Sequence, residues 1–182
     1  LNSFFYFLTI TLTTLAGTTL ADFFDRSLGF GYLGGSLTLF TLVLATLWLW
    51  HRTLGSVDIT SITSPAAELF YWTTIMFSQT LGTALGDWMA DETGLGYNGS
   101  ALVIAAILTI NAALYFFTTV SRTQLFWAAF ILTRPLGATI ANSLDKPVVQ
   151  GGLAISDISA SAALLLIMVV CLMFIPQKAG SH

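Results

Sequence analysis

Six stretches of this chain run for about twenty residues with almost no charge between their ends. They are Leu1 to Ala21, Leu33 to Trp50, Leu69 to Gly86, Ser100 to Val120, Gln124 to Leu144 and Ile158 to Pro176. About twenty apolar residues are what a helix needs to cross a hydrocarbon core. The runs are continuous and do not alternate, which points to helices and away from a barrel of strands. Only 8% of the 182 residues are charged, while 55% are hydrophobic. A soluble domain carries roughly 25% charged residues. So few charges cannot cover a compact surface in water, which argues against a soluble enzyme. A disordered chain needs the opposite composition. The expected fold is therefore all-α, a polytopic membrane protein with six transmembrane helices, forming a single domain over residues 1–182.

Charge placement adds smaller inferences. The net charge is −3 and no basic cluster occurs, so nucleic-acid binding has no electrostatic footprint. Cys171 stands alone in an apolar run, reads as a small buried hydrophobe and excludes an internal disulfide framework. The first run has no basic leader or cleavage site, so it reads as a mature span, or as the start of a truncated chain, and not as a signal peptide. Arg52, Arg122 and Lys178 lie on one predicted side, against Arg26 and Lys146 on the other. That balance places both ends of the chain in the cytoplasm. The longest connection, His51 to Glu68, is polar and too short for a separate domain.

Self-comparison gives the strongest pattern. Gly17-Thr18-Thr19-Leu20-Ala21-Asp22 matches Gly82-Thr83-Ala84-Leu85-Gly86-Asp87, and more loosely Gly137-Ala138-Thr139-Ile140-Ala141-Asn142. The offsets are 82 − 17 = 65 and 137 − 82 = 55. At the same offsets Gly29-Phe30-Gly31-Tyr32 falls on Gly94-Leu95-Gly96-Tyr97, and Tyr6-Phe7 falls on Tyr71-Trp72 and Phe126-Trp127. The units are roughly 1–60, 61–120 and 121–182. Each holds two spans, so all three point the same way through the membrane.

The repeated residues suggest two kinds of work. Gly82 and Gly86, with Gly17 and Gly137 followed by alanines four residues on, give small faces for close helix packing. Asp22 with Asp25, and Asp87 with Asp91, share a helical face. Asn142 and Asp145 follow in the third unit, and Glu92 adds an acid to the second. Close carboxylates repel unless compensated. A hard divalent cation would compensate them, with Asp22 and Asp87 as the metal-ligand candidates. A solvated helix end is the plainer alternative, weakened because the dipole disfavours acids there. Arg134, beside Pro135 in the fifth span, should face the bundle interior and pair with an acid of another unit. Pro135 should kink that helix. Asn111 and Gln79 read as interhelical hydrogen-bonding amides. Asp157 reads as a helix cap.

Phe70-Tyr71-Trp72, Leu81 to Asp87, Leu132-Thr133-Arg134-Pro135-Leu136-Gly137 and Gly151-Gly152-Leu153 together resemble a bacterial family of integral membrane proteins. Its members consist of tandem two-helix repeats of unknown function, and this chain resembles the second to fourth of four. The resemblance implies a multi-pass protein of the inner membrane and carries no activity. No nucleophile–base pair, metalloprotease motif or phosphate loop is present, so no enzyme is expected and no resident cofactor other than a bound divalent cation. Two functions remain: a transporter or exporter of a divalent, manganese-like cation, or a non-catalytic subunit of a larger membrane complex. Lipid is the expected partner, with further copies of the chain or a larger membrane complex beside it.

Overall fold

The computed structural model describes residues 3–23, 31–59, 62, 64–150 and 152–174. Among these residues there are six α-helices and no strand. They are α1 (Ser3–Asp22), α2 (Gly31–Leu54), α3 (Pro65–Asp91), α4 (Gly96–Phe117), α5 (Arg122–Asp145) and α6 (Asp157–Phe174), with a short 3-10 turn at Val148–Gln150 before α6. Each overlaps one of the six uncharged runs. Two of them, α2 and α4, are long and apolar enough to cross a membrane on length and composition. The apolar run Ile158–Cys171 in α6 is shorter. Cys171 is exposed on α6, contrary to its reading as a buried hydrophobe.

Local chemistry sets the helix ends. Ser64 caps α3, its hydroxyl accepting from the Ala67 N–H at 3.1 Å, and Pro65 occupies the first turn. A proline there costs no hydrogen bond, because that N–H has no helical partner anyway. The segment after α5 folds back over the helix end. Leu153 N donates to Ser143 O at 2.8 Å, Ile155 N to Leu144 O at 2.9 Å and Ala154 N to Lys146 O at 3.0 Å. These bonds satisfy carbonyls that a helix C-terminus leaves open. Gly152 makes the fold-back possible: a Cβ there would lie 1.9 Å from Lys146 O. Pro135 lies inside α5, which runs on through it as one helix, and is itself buried.

The packing is centred on α3, which touches α1, α2, α4 and α5. Its middle is buried from Ser78 to Gly82. Leu39 and Val43 of α2 join Leu81 and Ala84 of α3, Ala21 of α1 and Ile131 of α5 in one apolar core. Helix α6 touches little besides α5, and Ile158, Leu166 and Phe174 are exposed on it.

Candidate functional site

The repeat seen in the sequence becomes a level-by-level correspondence in space. The first helices of the three units, α1, α3 and α5, pack in series. On α1, a Cβ at Gly17 would meet Gln79 Cβ of α3 at 2.9 Å. On α3, a Cβ at Gly82 would meet Arg134 Cβ of α5 at 2.4 Å. Gly82 is one repeat beyond Gly17, and Arg134 is one repeat beyond Gln79. The same contact is therefore made twice, and in both cases only glycine lets the backbones approach so closely. Gln79 also bridges to α1: its Nε2 donates to Thr13 Oγ1 at 2.8 Å, and its Oε1 accepts from the Thr14 hydroxyl.

More than a turn further along the same helices a cavity of about 370 Å³ opens. Asp22 of α1, Asp87 of α3 and Asn142 of α5, the three equivalent positions, all line it. Thr18 and Thr83, themselves equivalent, lie beside the two acids. Tyr32 and Tyr97, at the starts of α2 and α4, form an equivalent pair on the wall. Asp91 and Lys146 complete the charged lining.

Hydrogen bonds tie the units together here. Asn142 Nδ2 donates to Asp87 Oδ1 at 3.2 Å, and the Tyr97 hydroxyl donates to Asp91 Oδ1 at 3.0 Å. Thr18 donates within its own helix to Thr14 O at 3.2 Å, which leaves its oxygen able to accept from the cavity side. Asp87 lies just past the uncharged run 69–86. Burial, then the neighbouring Asp91 and Asp22 carboxylates, push its pKa up to about 6, and the opposing pulls of Lys146 and the Asn142 amide are weaker. A carboxyl held this way takes up and releases a proton closer to neutrality than an ordinary aspartate.

The expected site residues divide clearly. Asp22, Asp87, Asp91 and Asn142 come together; Asp145 and Arg134 are not in the cavity wall. Arg134 packs against Gly82 one level below, with its guanidinium 5.0 Å from the centre of the Phe130 ring. Asp25 lies outside the described residues, and Glu92 is exposed at the end of α3. The reading of Asp157 as a cap concerns a side chain that is likewise not described. Of the packing glycines, Gly17, Gly82 and Gly86 face neighbouring helices, but a Cβ on Gly137 would meet nothing within 4 Å. Gly137 is thus no packing contact within the chain, because no described helix lies opposite it. Both amides read as interhelical do bond between helices, Gln79 to α1 and Asn111 Nδ2 to Leu125 O of α5 at 3.1 Å. Tyr32, Tyr97 and Lys146 are cavity residues that sequence reasoning does not single out. The two tyrosines are legible as members of the repeated Gly-x-Gly-Tyr pattern. Lys146 stands at the third-unit position of Asp91, 146 − 91 = 55 residues on.

Among the described residues, no group of three or more His, Cys, Asp or Glu side chains is placed to hold a metal. A cation in this cavity would draw on two kinds of oxygen, the carboxylates and the neutral amide and hydroxyl groups.

Three consecutive stretches of the chain, residues 5–56, 70–121 and 125–176, match the model of a family described as Repeat of Unknown Function (DUF347). Their starts are 70 − 5 = 65 and 125 − 70 = 55 residues apart, the two offsets found by self-comparison. No curated protein and no solved structure matches the chain.

Proposed function

We propose that this chain, which belongs to the DUF347 repeat family, is a small multi-pass carrier of a divalent cation in the bacterial inner membrane. The observation that carries this reading is the convergence of Asp22, Asp87 and Asn142, one from each unit, on a single polar cavity. A chain with so few charges gains nothing for folding by facing two aspartates toward each other. A hard cation with oxygen ligands offsets that repulsion, and Thr18, Thr83 and Asn142 add neutral oxygens. Asp87, with its raised pKa, exchanges a proton for the cation, and Lys146 supplies positive charge to the wall while the site is empty. The two apolar helices α2 and α4 support a membrane location, and six spans with both ends in the cytoplasm complete the proposal.

Manganese uptake into proteoliposomes tests it, with wild type compared against Asp87→Asn. Uptake that needs the protein and is largely lost in the variant is the expected result. No protein-dependent uptake, or equal uptake in both, overturns it. A second reading, a non-transporting subunit of a larger membrane complex, is favoured by the bare surface of α6. Purification in a mild detergent separates the two, because a stoichiometric foreign partner supports only the second.

A further inference from the structure

The three units bring unequal charge to the shared cavity. One helical turn beyond Asp22, Asp87 and Asn142 the repeat places Arg26, Asp91 and Lys146, at offsets 91 − 26 = 65 and 146 − 91 = 55. Arg26 lies outside the described residues. The second unit therefore lines the wall with two carboxylates, and the third with a neutral amide and an ammonium. Among the described lining residues, Lys146 is the single cation facing Asp22, Asp87 and Asp91.

The fold fixes the backbone of Lys146 and leaves its side chain to the cavity. Its N–H donates to Asn142 O at 2.9 Å and ends α5, and its carbonyl accepts from Ala154 N at 3.0 Å. Gly152 lies against the same carbonyl, where no Cβ would fit. The fold-back thus uses the main chain of Lys146, and any side chain there would serve it equally. A lysine at a helix C-terminus also meets the dipole, but that role does not call for a place in the cavity wall. From the fixed backbone runs a flexible four-carbon stem that ends in a compact charge. Such an ammonium can approach a carboxylate or withdraw from it with no movement of the helices. Its field is felt at Asp87: burial and the Asp91 and Asp22 carboxylates raise that pKa, and Lys146 acts against them.

On the reading of this cavity as a cation site, on which the inference rests, we infer that Lys146 is a tethered competitor of the transported ion. In the ion-free carrier its ammonium stands in for the cation among Asp22, Asp87 and Asp91. The arriving ion displaces it, and the repulsion between the two then favours release. Two consequences follow from the charges alone. The affinity for the ion is held down, so the ion can leave. The ion-free site is partly neutralised, so the carrier can return without cargo. Three carboxylates with no lysine would hold the ion more tightly and favour return in the loaded state, which is exchange rather than net transport.

The test removes the charge and keeps the stem. Lys146→Met and Lys146→Gln are compared with wild type and with Lys146→Arg. Mn²⁺ binding to the full chain in detergent is read from the free-ion EPR signal, and proteoliposomes report both net Mn²⁺ uptake and Mn²⁺ exchange. Both neutral variants are expected to bind Mn²⁺ on the order of tenfold more tightly, as loss of a nearby like charge requires. Their net uptake is expected to fall further than their exchange. Lys146→Arg, which keeps the charge, is expected not to tighten binding. A damaged fold weakens binding, so tightening cannot come from misfolding. Binding by the neutral variants that is no tighter than wild type overturns the inference, as does net uptake that falls no further than exchange. Tightening by Lys146→Arg overturns it too, since side-chain shape would then be the cause. A wild type that neither binds nor moves Mn²⁺ overturns the reading of the site itself, and the inference with it.

Discussion

At one end of the bundle Trp50 lies parallel to Phe70, with ring centres 6.2 Å apart, and edge-on to Trp127 at 5.7 Å. At the other end Asp22, Asp87 and Asn142 face a cavity. The aromatic end is closed: Trp50 is 1% exposed, and the Trp127 indole donates to Val57 O of the long connection at 3.0 Å. It also departs from the repeat. The counterpart of Trp50 in the second unit is Tyr115, which is 48% exposed. At the polar end, by contrast, aspartate, aspartate and asparagine hold equivalent places and all serve one cavity. Apolar packing tolerates exchange of one bulky group for another. Polar groups that must meet across three helices tolerate much less, because even a half-buried carboxylate such as Asp87 is costly without a partner.

Breaking the aromatic end should have the largest effect. Trp50→Ala removes the ring that both Phe70 and Trp127 pack on, and should cost about 3–5 kcal/mol. Thermal unfolding in detergent measures it, and a loss no greater than that of a surface substitution would show that this end does not hold the bundle. Next comes the contact between the two ends. Gly82→Ala forces α3 and α5 apart and should cost about 1–3 kcal/mol, whereas Gly137→Ala meets no neighbour in the protomer and leaves its fold intact. Equal destabilisation by the two would remove the distinction drawn between them. Trp127→Phe keeps an aromatic ring there but loses the bond to Val57 O, worth about 1 kcal/mol, and some buried indole volume besides.

The smallest stability change belongs to the polar end and has a distinctive pH dependence. The Asp87 pKa is higher folded than unfolded, so the protonated form favours folding. That advantage is present below the ordinary carboxylate range and is lost as pH rises through the raised value of about 6. Asp87→Asn should therefore melt higher than wild type at neutral pH and gain nothing in acid. A pH-independent difference between the two would dissociate Asp87 from the shift.

Much of this is legible in the residues. Hydrophobic runs locate all six helices, since burial and helical hydrogen bonding act over a few turns of contiguous chain. The repeat offsets place Asp22, Asp87 and Asn142 at one level before any packing is known. The same offsets match Gly137 with Gly17 and Gly82, and there the expectation of close packing fails, because a small face needs a helix opposite it. Arg134 is recognisable as an interior residue, yet its place against Gly82, one level below the cavity, depends on how α3 and α5 cross. Lys146 stands at the position of Asp91, 146 − 91 = 55 residues on, and one turn beyond Asn142, so the offset alone sets it at the cavity. That a lysine there faces Asp87 is seen only in the packed bundle. Local hydropathy and internal repetition thus settle the helices and their equivalence without reference to any packing. Which of the equivalent faces end up covered is a property of the folded bundle alone. It rests on contacts between residues 55 to 65 apart in the chain, such as Asn142 with Asp87 and Thr14 with Gln79, and no local pattern encodes them.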